Sequence, residues 1–343
     1  MALFNRRPRR ESAAPGHIAS ESSAAVREPV LSGEALPGEV RPSEVRPDAV
    51  PDEYVPEVGI SVSTFGRTPT RPPRAVAETP LSSEVVPGLV DNAVLKGALD
   101  ALPEKPENLD VMNVMRQMLQ GQLYVRVRGD ARSLLAAGEP LTLAVSTIGE
   151  NRFLLAFSGG AALQASIRAD GDGATSAVRQ PSVSILRNTL AGPYAGLILD
   201  HAVMGSRIVL PTPLIQKALD EADPDLTLKT LLSAPRQEAM EFEVVDALTR
   251  VRLWVAGATS EDGTRLGLAE ARTADGQRRL EVFSHPLEVL AMRRGDRPLP
   301  LTAVQLGKSL AADAALSGVV IDPGGPWIAL DRDQLAPVLA LAG

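Results

Sequence analysis
The sequence predicts an α+β protein: two tandem units, each a small mixed sheet with flanking helices, behind a disordered Pro-rich N-terminal tail. Three observations predict it. Residues 1–88 hold 13 of the 28 prolines, and about a third of that segment is apolar. Helix and strand periodicities alternate from Val90 onward. Five landmarks in the stretch 89–223 recur in the same order in 224–343.

The tail comes first. A segment so poor in apolar side chains cannot offset the entropy of ordering, and its prolines favour extended backbone. Glu39-Val40-Arg41-Pro42 recurs as Glu44-Val45-Arg46-Pro47, with looser copies ending at Pro51 and Pro56. That is low complexity and not a folded repeat. The segment reads either as a spacer or as a linear docking segment anchored by Tyr54 and Phe65.

In the first unit, Leu95, Leu99 and Leu102 mark a helix face that ends at Pro103 and Pro106. Val111, Met112, Met115, Met118 and Leu119 mark a second helix, with Gly121 as its C-cap. Leu123–Val127 alternates as a strand. Leu141–Ser146 and Arg152–Phe157 form a hairpin through Gly149-Glu150-Asn151. Ser158 is the expected N-cap of a helix over 160–166. The run Asp170-Gly171-Asp172-Gly173 lacks the later ligands of a calcium loop and reads as a turn. A helix over 182–190 precedes a buried-type strand, Gly196–Asp200, and a partner strand over 206–210. Thr212 and Pro213 open the closing helix as N-cap and first helical residue.

The second unit repeats this order. Leu228-Lys229 with Leu232 echoes Leu95-Lys96 with Leu99, and Leu253-Trp254-Val255 echoes Leu123-Tyr124-Val125. Leu266–Ala271 and Arg279–Phe283 repeat the hairpin, with Asp275-Gly276 at its turn. Phe283-Ser284 matches Phe157-Ser158, and Gly318–Asp322 matches Gly196–Asp200. A helix follows Asp331, whose spacing to Gln334 suits a capping box, and Pro337 kinks or shortens it.

The order Leu-Tyr-Val strand, hairpin, Phe-Ser, helix and Gly-Leu-Ile-Leu-Asp strand resembles the SseB-type (enhanced serine sensitivity) N-terminal domain family. The resemblance covers about 90–219 and, more weakly, 226–339. The family's Phe-Thr-Ser signature reads Phe157-Ser158 and Phe283-Ser284, without the Thr. Its Asn-Pro-Gly element reads Asp322-Pro323-Gly324 in the second unit and Asp200-His201-Ala202 in the first. The resemblance implies an α+β domain with no established enzymatic activity.

Composition narrows the function classes. Cysteine is absent, which excludes thiolate chemistry, disulfides and Cys-ligated metals. Three histidines, at 17, 201 and 285, make a His-rich metal site improbable, so neither metal nor cofactor is expected. A net charge of −7 disfavours nucleic acid. No apolar run is long enough for a membrane span, and a cytoplasmic protein is expected. Neither a nucleophile elbow, a Walker loop nor a dinucleotide fingerprint is present, so no catalytic residue is assigned. The expectation is a non-enzymatic interaction or adaptor module with a protein partner, a homo-oligomer being left open. The alternative is a small-ligand sensor, of an anionic metabolite or an amino acid, with Ser158, Gly159, Gly160, Ser284 and His285 as the binding residues at two helix starts. N-capping and a tight turn account equally for Ser158, Gly159 and Gly160, and His285 reads equally as a loop residue.

Overall fold
In a computed structural model describing residues 83–171, 173–259 and 266–343, the first described element is a hairpin. Its strands are β1 (Ser83–Val86) and β2 (Leu89–Asp91), joined at Gly88, whose φ of 79° suits glycine. The expected tail, 1–88, is therefore shorter at its C-terminal end, since 83–88 belong to this hairpin. The rest of that expectation, with its Glu-Val-Arg-Pro repeats, lies outside the described residues.

The first half continues through α1 (Ala93–Asp100), α2 (Asn108–Met118), β3 (Gln122–Arg128), α3 (Ala131–Ala136), β4 (Val145–Ile148) and β5 (Asn151–Ala156). It closes through α4 (Gly160–Asp170), β6 (Thr175–Pro181), α5 (Ser182–Ala191), β7 (Gly196–Leu199), β8 (Ile208–Pro211) and α6 (Thr212–Glu221). Four strands form a sheet in the order β4-β5-β7-β8. Strands β5 and β7 run parallel, which requires the long crossover through α4, β6 and α5; the outer pairs are antiparallel. Side chains alternate across this sheet. Leu154, Ala156, Leu197 and Leu199 enter the main core with α1, α2, α5 and α6. Leu155, Phe157 and Ile198 enter a smaller core on the other face with Tyr124 and α4.

The second half runs α7 (Thr227–Ser233), α8 (Met240–Leu248), β9 (Leu253–Thr259), β10 (Leu266–Leu268), β11 (Glu270–Arg272) and β12 (Arg278–Val282). There follow α9 (Pro286–Ala291), β13 (Arg297–Leu301), α10 (Ala303–Ala312), β14 (Leu316–Ile321), β15 (Ile328–Asp331) and α11 (Ala336–Leu339). Its four-stranded sheet, β11-β12-β14-β15, has the same directions: antiparallel, parallel, antiparallel. In each half a separate antiparallel sheet, β3-β6 or β10-β9-β13, is tied to the strand leading into the clasp by an isolated bridge, Tyr124–Phe157 or Trp254–Phe283, and the first half adds a bridge between Val127 and Leu143. The two halves meet where α2 packs on α9, and Leu287 of α9 buries itself in the first half's core.

Several expected boundaries move, each for a local reason. Strand β4 starts at Val145 and not at Leu141. The single strand expected over 266–271 divides at Ala269: β10 pairs with β9, while β11 pairs with β12. Thr212 does not cap α6; its hydroxyl donates to the Tyr194 carbonyl (3.0 Å), and Pro211 takes the cap position. The last helix starts only at Ala336, which places Pro337 in the first turn, where its missing N–H has no helical partner to lose. The Asp331 N–H still donates to the Gln334 side chain (2.7 Å). The 170–173 turn begins with Gly171 as C-cap of α4, at φ 67°.

Candidate functional site
Each parallel strand pair ends in the same clasp. The Ser158 N–H and hydroxyl donate to the two carboxylate oxygens of Asp200, at 2.8 and 2.5 Å. Ser284 and Asp322 repeat this at 2.8 and 2.5 Å. A serine just past a strand has lost its ladder partner, and the neighbouring strand's first following residue supplies one. Both aspartates adopt left-handed backbone, at φ 46° and 48°, which Asp tolerates better than most residues. All four residues are buried. Burial pushes the Asp200 carboxyl up to about 6, against its bonds from Ser158 and the charge of Lys96.

The two helix starts anticipated as ligand contacts are occupied by the chain itself. Ser158 does not cap α4; its hydroxyl is held by Asp200, and Gly159 takes the cap position. The Gly160 N–H donates to Oδ1 of Asp91, 3.0 Å away on β2. A Cβ on Gly160 would lie 2.7 Å from the Val86 Cβ and 2.8 Å from the Leu89 Cβ, so only glycine lets the hairpin seat here. A ligand at this start would have to displace the Asp91 carboxylate. At the second start His285 is the N-cap of α9, and its Nδ1 accepts from the Leu287 N–H (3.1 Å). That leaves Nε2 to donate to the Ala218 carbonyl on α6 (2.8 Å). Burial holds the imidazole down at about 4, with nearby Lys229 acting in the same direction. Among the described residues no hydrogen bond joins Ser158, Gly159 or Gly160 to Ser284 or His285.

The residue reading missed a buried charge cluster beside the second clasp. Arg116 on α2, Lys229 on α7, Glu288 on α9 and Asp322 after β14 are at most 6 % exposed. Lys229 Nζ donates to Glu288 Oε1 and lies 3.5 Å from Asp322. Arg116 crosses from the first half to donate to Glu288 Oε2 (2.7 Å) and the Gly325 carbonyl (3.3 Å). Two cations face two carboxylates, so the site is neutral as a whole. Burial pushes Glu288 up, but Arg116 and Lys229 together outweigh it and hold the carboxyl below its ordinary range. Burial raises Asp322, and the charge of Glu288 adds to that rise against Lys229.

Among the described residues the first half has no such cluster beside its clasp. The position matching Glu288, four residues after Ser158, is Ala162. Lys96, the counterpart of Lys229, stays half-exposed and pairs with Asp100. One sequence signal pointed to the difference: Lys229 is one of only five lysines and lies between Leu228 and Leu231-Leu232.

Residues 228–337 match the SseB protein N-terminal domain. The match falls on the half with the weaker expected resemblance, the one that retains Asp-Pro-Gly at 322–324. It encloses Lys229, Glu288 and Asp322, whereas Arg116 comes from outside it. No curated protein and no solved structure gives a match.

Outside the buried cluster, one exposed face stands apart. On α8 the apolar Met240, Val244 and Val245 turn inward, while Phe242 is 79 % exposed. Glu238, Glu243 and Asp246 are exposed around it. Among the described residues no group of three or more His, Asp or Glu is placed to hold a metal ion, and no helix is long and apolar enough to cross a membrane.

Proposed function
We propose that the protein is a non-enzymatic interaction module of the cytoplasm, built from two SseB-like units by tandem duplication. The shared strand order and the repeated Ser–Asp clasp support the duplication. The observation that carries the interaction reading is Phe242. Aromatic side chains make 3 % of this chain, and one of them stands in solvent on a helix whose neighbouring exposed side chains are acidic. Aromatic side chains are enriched at the centres of protein interfaces, where the surrounding rim is polar. The partner that fits has an apolar socket with a basic rim.

The buried polar groups support the same reading. Ser158, Ser284 and His285 spend their hydrogen bonds on the fold, so each already has a structural occupation. The test is affinity purification from the native cell with three full-chain baits: unchanged, Phe242→Ser, and a deletion of residues 39–56. A partner lost with Phe242→Ser, while the bait's melting temperature is unchanged, supports the reading. A partner lost only with the 39–56 deletion moves the interface to the Pro-rich segment and overturns the α8 assignment. A hydrolytic or transfer activity abolished by Ser158→Ala overturns the non-enzymatic reading.

A further inference from the structure
The outward face of α8 has a counterpart inside the molecule, and α9 covers that counterpart. Met118 lies five residues before Leu123, and Leu248 lies five before Leu253, so α2 and α8 align without a gap. This register pairs Val244, Val245 and Leu248 with Val114, Met115 and Met118, and all six are buried. It pairs Phe242, Glu243 and Asp246 with Met112, Asn113 and Arg116. In α2 those three belong to the joint with α9. Arg116 donates to Glu288 (2.7 Å), and Asn113 accepts from the Arg116 side chain (3.1 Å). Met112 and Leu290 of α9 both pack on the core that holds Leu287. In α8 the matching three are exposed. The face with which the first half holds the second therefore recurs on the second half.

We propose that this face of α8 docks the helix that follows the clasp in an SseB-type unit of another protein, as α2 docks α9. The proposal rests on the duplication and on the α8 interface argued above.

Charge selects the partner. Arg116 meets a carboxylate, Glu288, whereas the residue in its place on α8 is itself a carboxylate, Asp246. Glu238 and Glu243 stand exposed beside it. They face the guanidinium of Arg250, which pairs with Asp246 at 3.2 Å in solvent, a geometry that contributes little. Arg236 is committed to the Trp327 carbonyl (3.1 Å). Three carboxylates against one guanidinium keep the face acidic. The partner helix therefore carries Lys or Arg four residues after its clasp serine, in the place of Glu288, and an apolar side chain against Phe242.

A second copy of this chain does not fit. Its α9 is packed under α2 and offers Glu288, which would confront Asp246. Its α4 has Ala162 at that place, and the β1–β2 hairpin is seated there, with the Gly160 N–H donating to Asp91 (3.0 Å). A head-to-tail joint of this kind leaves one end of each kind open. Here the hairpin closes the α4 end, and α8 is the other.

The test uses the full chain in its native cell, with the photo-cross-linker p-benzoylphenylalanine at position 242. The same group at Leu135, exposed on α3, is the control. The expected cross-linked peptide comes from another protein, lies in the post-clasp helix of an SseB-type unit, and has Lys or Arg four residues after the clasp serine. Position 135 should not capture it. Asp246→Arg should lower the yield at least about tenfold, because it sets like charges against each other. Changing the partner's Lys or Arg to Asp should restore capture by the Asp246→Arg chain. Cross-links only to proteins without such a unit overturn this proposal and leave the α8 interface standing. Cross-links only to a second copy or to this chain's own residues overturn it, as does equal capture from position 135 or by Asp246→Arg. No cross-link at all overturns both this proposal and the α8 interface.

Discussion

Glu288→Gln is the sharpest perturbation of the joint between the halves. It neutralises the one group that both Arg116 and Lys229 contact, at a position that is 0 % exposed. Lys229 then keeps only Asp322, 3.5 Å away, Arg116 loses its carboxylate partner, and the site carries one uncompensated positive charge. Removing one member of a buried pair costs about 3–5 kcal/mol, because the partner's charge stays desolvated. The glutamine oxygen can still accept from one cation, which places the expected cost near the lower end, about 3 kcal/mol. For a folded body of this size each kcal/mol moves the melting temperature by about 2–4 °C, so a fall of about 6–12 °C is expected. Urea unfolding at pH 7.5 measures the same quantity as a change in midpoint at constant slope. The decisive variant is the double, Lys229→Met with Glu288→Gln. It restores one cation, Arg116, against one carboxylate, Asp322. The double should therefore be less destabilised than the two single changes added together, by at least about 1 kcal/mol. A Glu288→Gln cost under about 1 kcal/mol, or strict additivity in the double, would refute the view that these charges are coupled and desolvated.

Two further outcomes follow from the clasp and the hairpin. Asp200 is held up at about 6, above its unfolded value of 3.8, so the folded state binds the proton more tightly. Its contribution to stability is full below about pH 4 and is lost as pH rises through 6, a loss of about 3 kcal/mol. Asp200→Asn should remove that slope, read as urea midpoints of both proteins between pH 4.5 and 7.5; parallel profiles would count against it. Gly160→Ala should drive its Cβ into Val86 and Leu89, cost about 1–3 kcal/mol and expose residues 83–91 to proteolysis. An alanine variant as protease-resistant as the parent would show that the hairpin is not seated on α4.

What was legible in the sequence is what periodicity encodes. Strands β5, β7, β12 and β14 are short apolar runs bounded by turns, and helices α2 and α5 carry one-sided apolar spacing; these stand where the pattern put them. The strands that escaped lack either signal. β6 reads Thr-Ser-Ala-Val-Arg-Gln-Pro, with its best apolar residue, Val178, only half-buried. β13 carries Pro298 and Pro300, which argue against a central strand and are tolerated here because β13 is the outer member of β10-β9-β13. Helix α10 was missed although Thr302 and Gln305 form a capping box at its start.

The site was harder, because its signals cross between elements far apart in sequence. Ser158 and Ser284 draw notice in the sequence as residues at helix starts, but Gly159 and His285 take the cap positions. The serines' partners are 42 and 38 residues away, across the parallel pair, and no local pattern names them. Arg116 and Glu288 lie 172 residues apart. Within α2, Arg116 looks like a charge on the solvent side of an amphipathic helix, because Val114, Met115 and Met118 already supply a core face. It is buried because α9 covers that side. A joint made only of apolar side chains such as Leu287 would tolerate sliding of α9 along α2. An arginine that must meet both Glu288 and the Gly325 carbonyl does not, since a shift of one turn would strand a charge without water or partner. On that argument the cluster fixes the register of the two halves more than it adds to their stability. Arg116→Met combined with Glu288→Leu should then keep much of the melting temperature while loosening the packing of α2 on α9.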